Sequence, residues 1–218
     1  MPDELILDLP PDVLTPLAAT ILTQSGESTY GALTVNGQAP SAAASAKLKG
    51  VTPQQLFARP IKNPDDAKAA LAGLWLWLDQ LNESHVIAQD ILSPTGSFWH
   101  AILHRREGDF SNAKYWYRRC ESHQVNKMMG AVASSLAGNM TDDRLVAHAV
   151  GEGWNPIGFV DLVQAVHQKP ADPRYDLAVR LQRAEWEALF THCVRAAVDA
   201  EKNDLDGWDN RVTNPSGS

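Results

Sequence analysis

The sequence predicts an all-α fold: a single irregular helical bundle around a central antiparallel helix hairpin. Three observations carry that expectation. Apolar residues recur at helical spacing in two long stretches. One holds Leu71, Leu74, Trp75, Leu78 and Leu81; the other holds Leu177, Leu181, Ala184 and Ala188, with Leu189, Cys193 and Ala197 beside them. No run is long enough for a strand, the nearest being Ala32 to Val35. Helix punctuation recurs as well: a capping residue followed by proline at Thr52-Pro53, Asn63-Pro64 and Asp172-Pro173, and a terminating Gly108.

Length and charge set the frame. At 218 residues the chain suits one domain with an arm. Residues 1–62 read as an N-terminal arm packed on the body, 63–202 as the helical domain, and 203–218 as a flexible, disordered tail rich in polar residues, Gly and Pro. A net charge of −7 argues against a general nucleic-acid or anionic-membrane partner. Cys120 and Cys193 have no metal-ligand spacing and read as small buried hydrophobes in a reducing compartment. The start MPDELILDLPPDV has no signal-peptide pattern, and no stretch approaches a membrane span. The expected location is the cytoplasm.

In chain order, Pro10, Pro11 and Pro16 interrupt the arm, leaving a short helix over 13–23 and a linker or frayed helix over 41–46. Asn63-Pro64-Asp65-Asp66 starts a helix, with a cap, a proline and two acids at its positive end. Trp77 and Leu76 widen its apolar stripe, so more than one side should be covered. Continued past Leu81, the stripe lands on His85 and then Gln89. Ser93 to Ser97 is a turn, with Ser97 as the expected cap for a helix over 98–107 that ends at Gly108. Asp109 or Ser111 caps the next helix, to about Glu121, with Phe110, Ala113, Tyr117 and Cys120 inward. So short a connection makes the two helices antiparallel neighbours. Helical segments follow over 128–136 and 142–150. The loop Gly151–Pro156 leads into a helix ending near His167, and the longest helix runs from Pro173 to about Lys202.

The stretch GSFWHAILHRREGDFSNAKYWYRR, residues 96–119, resembles an uncharacterised family of bacterial and fungal proteins, a likeness that brings no assigned activity. It is also similar to one tetratricopeptide-type helical hairpin, with Gly108-Asp109-Phe110 at the turn, Ala113 in the second helix, then Tyr117 and Cys120. It departs from that pattern in lacking a proline after the second helix and a second copy at the repeat period. His100 and His104 stand where such a hairpin has Leu and an aromatic.

Those two histidines, with Glu107, fall at i, i+4 and i+7 on one helix face. They are the candidate catalytic residues. Two imidazoles so spaced can share a divalent metal ion, with Glu107 completing an open three-ligand site and His85 as the fourth group. The absence of Glu at the position after His100 excludes the H-E-x-x-H protease mechanism. A metal-free pocket is the second reading: His85, Arg105 or Arg106, Arg118 or Arg119, Tyr117 and Lys114 would hold a small polar or anionic molecule. The third is a structural polar network. In it the histidines bond tyrosine or carboxylate, one arginine of each pair bonds Glu107, Asp109 or Glu121, and the other is solvated. Glu83 or Asp90 would orient His85, and Trp116 reads as hairpin packing. His148, His167 and His192 read as lying outside the cluster, the last two on surface helix faces. No nucleophile-elbow, P-loop or dinucleotide motif is present. The functional expectation is therefore a His/Arg/Glu pocket for a small ligand, with or without metal. The alternative is a non-catalytic tetratricopeptide-like module that binds a peptide.

Overall fold

The Asn63-Pro64-Asp65-Asp66 start forms as expected. In the computed structural model, which describes residues 7–24, 30–35 and 42–198, the Asn63 side chain accepts from the Asp65 and Asp66 amides at 3.2 and 3.4 Å. It thereby opens α3 (Pro64–Trp77). Helices α1 (Pro16–Gln24) and α2 (Ala42–Leu48) precede it, and a 3-10 turn over Pro53–Gln55 follows Thr52. Every α3 residue from Ala69 onward is buried, so the helix is covered all round. Gly73 allows this. A Cβ there would stand 2.7 Å from the Trp99 ring, and the Gly73 carbonyl accepts from Trp186 Nε1 at 3.0 Å. Trp99 lies on α5 (Pro94–Glu107) and Trp186 on α10 (Pro173–Val198), so one missing side chain lets two helices close on a third.

The apolar stripe through Leu81 to His85 does not lie on one continuous helix. The helix stops after Trp77, and α4 (Leu81–Ala88) starts anew. Asp79 sits at φ +60°, in the left-handed region that Asp tolerates better than most residues. The Gln80 amide turns back to the Trp75 carbonyl at 2.9 Å. Apolar spacing carries across this break, so the pattern alone does not reveal it. Ser84 then pins α4 to α3 by donating to the Ala72 carbonyl at 2.9 Å.

A second correction concerns α5. Its N-cap is Ser93, with Pro94 at the first helical position, so the helix begins a turn before Ser97. Gly108 closes it at φ +83°, and Asp109 caps α6 (Phe110–Arg119) by accepting from the Asn112 amide at 3.2 Å. The two helices form the expected hairpin, with Ala113, Tyr117 and Cys120 buried.

After the hairpin come α7 (Gln124–Ala137), a 3-10 turn over Gly138–Asp142, α8 (Arg144–Val150) and α9 (Pro156–Val166). Helix α10 packs along α3 and also against α7 and α9. Both of its expected apolar stripes are buried. The hairpin contacts α3 and α4 through α5, and α9 through α6. In the arm, Leu14 pairs with Phe57 as an antiparallel bridge, and the Ala32 carbonyl accepts from Arg106 and Gln182 at 3.3 and 2.9 Å. Among the described residues there is no strand, and no helix is long and apolar enough to cross a membrane. The expected tail over 203–218 and the expected helix end near Lys202 lie outside the described residues.

Candidate functional site

His100 and His104 share a face of α5, and the restart of the chain at Leu81 carries His85 across to them. The three rings converge. Ring centres are 5.0 Å apart for His85 and His100, 5.7 Å for His85 and His104, and 5.9 Å for His100 and His104. His85 meets both neighbours edge-on. His100 and His104 are buried, and His85 is half-buried. Trp116 of α6 closes one side, stacked on His100 with ring centres 4.2 Å apart and planes 11° from parallel. It is hairpin packing and a wall of the cluster at once. Arg119 adds a guanidinium 5.4 Å from the Trp116 ring centre.

Each imidazole has a different set of partners. His104 is held at both nitrogens: Nδ1 lies 2.9 Å from a Glu107 carboxylate oxygen, and Nε2 lies 3.2 Å from the Asn112 amide nitrogen. An amide donating to Nε2 leaves the ring proton on Nδ1, facing Glu107. His100 donates from Nδ1 to the Gly96 carbonyl at 3.3 Å, which leaves Nε2 as a bare acceptor. Burial, and then the neighbouring His85, hold His100 down at about 4, so it is neutral at pH 7. The His85 ring has no hydrogen bond to any described residue. Glu83 and Asp90 are both exposed and do not orient it.

No metal site is seen among the described residues. Both His104 nitrogens are committed, and among the described residues no three His, Cys, Asp or Glu side chains gather to hold an ion. The expectation for the arginines is corrected. Arg105 and Arg106 are both fully buried, although they are adjacent on the helix. Arg105 pairs with Glu185 of α10 at 2.6 Å and donates to the Tyr117 hydroxyl, which itself donates to Glu185 at 2.7 Å. Burial alone would lower the pKa of Arg105, but Glu185 outweighs it and the net shift is upward. Arg106 pairs with Asp79 at 2.7 Å and lies 4.0 Å over the Tyr30 ring. Arg105 and Tyr117 are thus core residues, not ligand contacts. Lys114 is bound to Asp161 of α9 at 2.5 Å, and Arg118 and Arg119 are exposed. The near carboxylates, Glu107, Asp109 and Glu121, pair with none of these arginines.

A second histidine pair was not legible as such. His123 caps α7, its Nδ1 accepting from the Val125 amide at 3.3 Å, while Nε2 lies 3.2 Å from the Thr95 hydroxyl. His192 of α10, half-buried, stands edge-on to it at 4.8 Å and lies 2.5 Å from the Gln124 amide nitrogen. Burial, then His192, hold His123 down at about 3. The only sequence signal was its place just before an amphipathic run, and histidine is not a usual cap. Both cysteines are buried and unpaired, as expected. A cavity of about 1130 Å³ opens elsewhere, between α8 and the loop after it, and no residue of the histidine cluster lines it.

Comparison with protein-family models, with curated proteins and with solved structures finds no match to this chain.

Proposed function

We propose that the chain binds a small polar molecule at the His85–His100–His104 cluster, with His100 Nε2 as the acceptor that takes its proton or hydrogen bond. The observation that carries this is the unmatched edge of the cluster. The half-buried His85 ring stands edge-on to His100 with ring centres 5.0 Å apart, and neither that ring nor His100 Nε2 has a hydrogen bond to a described residue. A ligand hydroxyl, amide or acid would supply the missing bonds. Glu107 holds His104 upright beside them, and Trp116 offers a flat wall. The buried arginines do not contribute, so any preference for an anion would rest on Arg119 at the rim.

The test is long-range proton–nitrogen NMR of the imidazoles at neutral pH during titration with acetate, inorganic phosphate, glycerol and acetamide. At least one probe should move the His85 and His100 ring signals together, and His100→Phe should abolish the effect while the helical circular dichroism is kept. If all four probes leave those signals still, or shift them equally in the His100→Phe chain, the reading is wrong. The peptide-binding alternative has less support, since Trp116 is stacked on His100 and Tyr117 lies in the core.

A further inference from the structure

The Gly151–Asn155 loop is built to a tight specification that packing alone does not require. Gly153 sits at φ +106°, a conformation that residues with a side chain rarely adopt. Gly151 and Gly153 pair as an isolated parallel bridge. The Asn155 amide returns to the Ala149 carbonyl at 2.8 Å, and Asn155 then caps α9 through the Ile157 and Gly158 amides. Gly158 lets α9 cross directly on α8, since a Cβ there would stand 2.5 Å from the His148 carbonyl. Two helices crossing this closely and a glycine-built loop form a fixed corner, and the 1130 Å³ cavity opens along it.

The side chains that line the corner are of three kinds. Arg144 is exposed and has no ion pair with any described residue. Glu152 lines the same cavity, is also exposed, and is likewise without an ion pair. They form no ion pair with each other, and a positive and a negative group thus border one cavity. Leu145 and Trp154 border the same cavity. Trp154 is 9% exposed, and its indole Nε1 has no acceptor among the described residues. His148 is not the free cation here, because its Nε2 faces Asp161 at 3.8 Å, and Asp161 is held by Lys114.

We propose that this corner binds a small zwitterion of the amino-acid type. Its carboxylate would go to Arg144, its ammonium to Glu152, and its apolar part against Trp154 and Leu145. A rim carrying both signs selects for a ligand carrying both, whereas a simple anion or cation satisfies one group and meets the other unfavourably. The site stands apart from the histidine cluster and does not depend on it.

Phenylalanine is the probe, followed by proton–nitrogen correlation NMR of the Trp154 indole and of the Gly151 and Gly153 amides. Three analogues complete the set: N-acetylphenylalanine lacks the ammonium, phenethylamine lacks the carboxylate, and benzyl alcohol lacks both. Phenylalanine should shift the corner signals saturably at millimolar concentration. Removal of either charge should weaken binding roughly tenfold. Arg144→Gln should abolish the advantage of phenylalanine over phenethylamine, and Glu152→Gln its advantage over the N-acetyl form. The proposal is overturned if phenylalanine moves nothing at the corner, or if either single-charge analogue binds the unaltered chain as tightly as phenylalanine does. That second comparison needs no variant, so a folding defect in Arg144→Gln or Glu152→Gln does not remove the test.

Discussion

Acidification probes the burial of the two histidine sites directly. In the folded chain His100 titrates at about 4 and His123 at about 3, against 6.5 for an ordinary imidazole. For each, burial is the main cause; His85 adds repulsion at His100, and His192 adds it at His123. Because both values are lowered on folding, the unfolded chain takes up these protons first. The stability that comes from keeping the rings neutral is complete above pH 6.5. It drains away as pH falls, until the folded values are passed. At about 1.4 kcal/mol for each pH unit between the ordinary and the folded value, His100 accounts for about 3 kcal/mol and His123 for about 5. A domain of this kind has about 5–15 kcal/mol in all, so the two together threaten the fold before most carboxylates titrate. The assay is urea unfolding followed by far-ultraviolet circular dichroism, in steps from about pH 7.5 to about pH 4.5. Below pH 6 the unfolding free energy should fall by roughly 2–3 kcal/mol per pH unit, the slope for two protons. His123→Asn keeps a good helix cap and should remove about half of that slope. Stability that stays flat from pH 7 to pH 5, or a slope unchanged in a His100→Phe, His123→Asn double variant, would refute the argument.

Three further outcomes concern the α5–α6 hairpin. Arg105→Met strands Glu185 without a counter-charge at full burial and should cost about 3–5 kcal/mol in urea unfolding, most of it recovered by adding Glu185→Gln. Arg118→Gln, on the exposed face of the same hairpin, should change stability by less than about 0.5 kcal/mol. Gly96→Ala would place a Cβ 2.0 Å from the Ile91 carbonyl, a backbone atom that cannot turn aside, and should cost about 3 kcal/mol by thermal unfolding.

What the sequence revealed was local chemistry. Asn63, Gly108 and Asp109 could be placed because a cap acts within four residues of itself. The α10 stripes could be placed because helical spacing reports burial directly. The break at Asp79 was hidden because the apolar spacing continues through it, and what breaks the helix is one residue's left-handed backbone. The partners of the arginines were hidden for a different reason. A local reading offers Arg105 and Arg106 the carboxylates at 107, 109 and 121, whereas the fold gives them Glu185 and Asp79, which come from other elements. The histidine face was the part of the site that could be read, since i, i+4 spacing fixes His100 and His104 on one side. That His85 would join them depended on a restart of the helix that the pattern does not encode.

The same contrast gives the binding proposal its physical basis. Helix α5 buries ionisable groups on several faces, and a chain can tolerate that only by supplying partners. For Arg105 the partner is Glu185, for Arg106 it is Asp79, and for His104 it is Glu107 with Asn112 behind it. Each comes either from the same turn or from a separate element brought up against it. His100 is bonded at Nδ1 alone, and the half-buried ring beside it, His85, has no hydrogen bond to a described residue. If the cluster served packing only, the carboxylates and amides that complete the other three positions show that this scaffold can provide them here too. Leaving open the one edge where two imidazoles meet, beside a flat indole, makes sense when something outside the chain completes it.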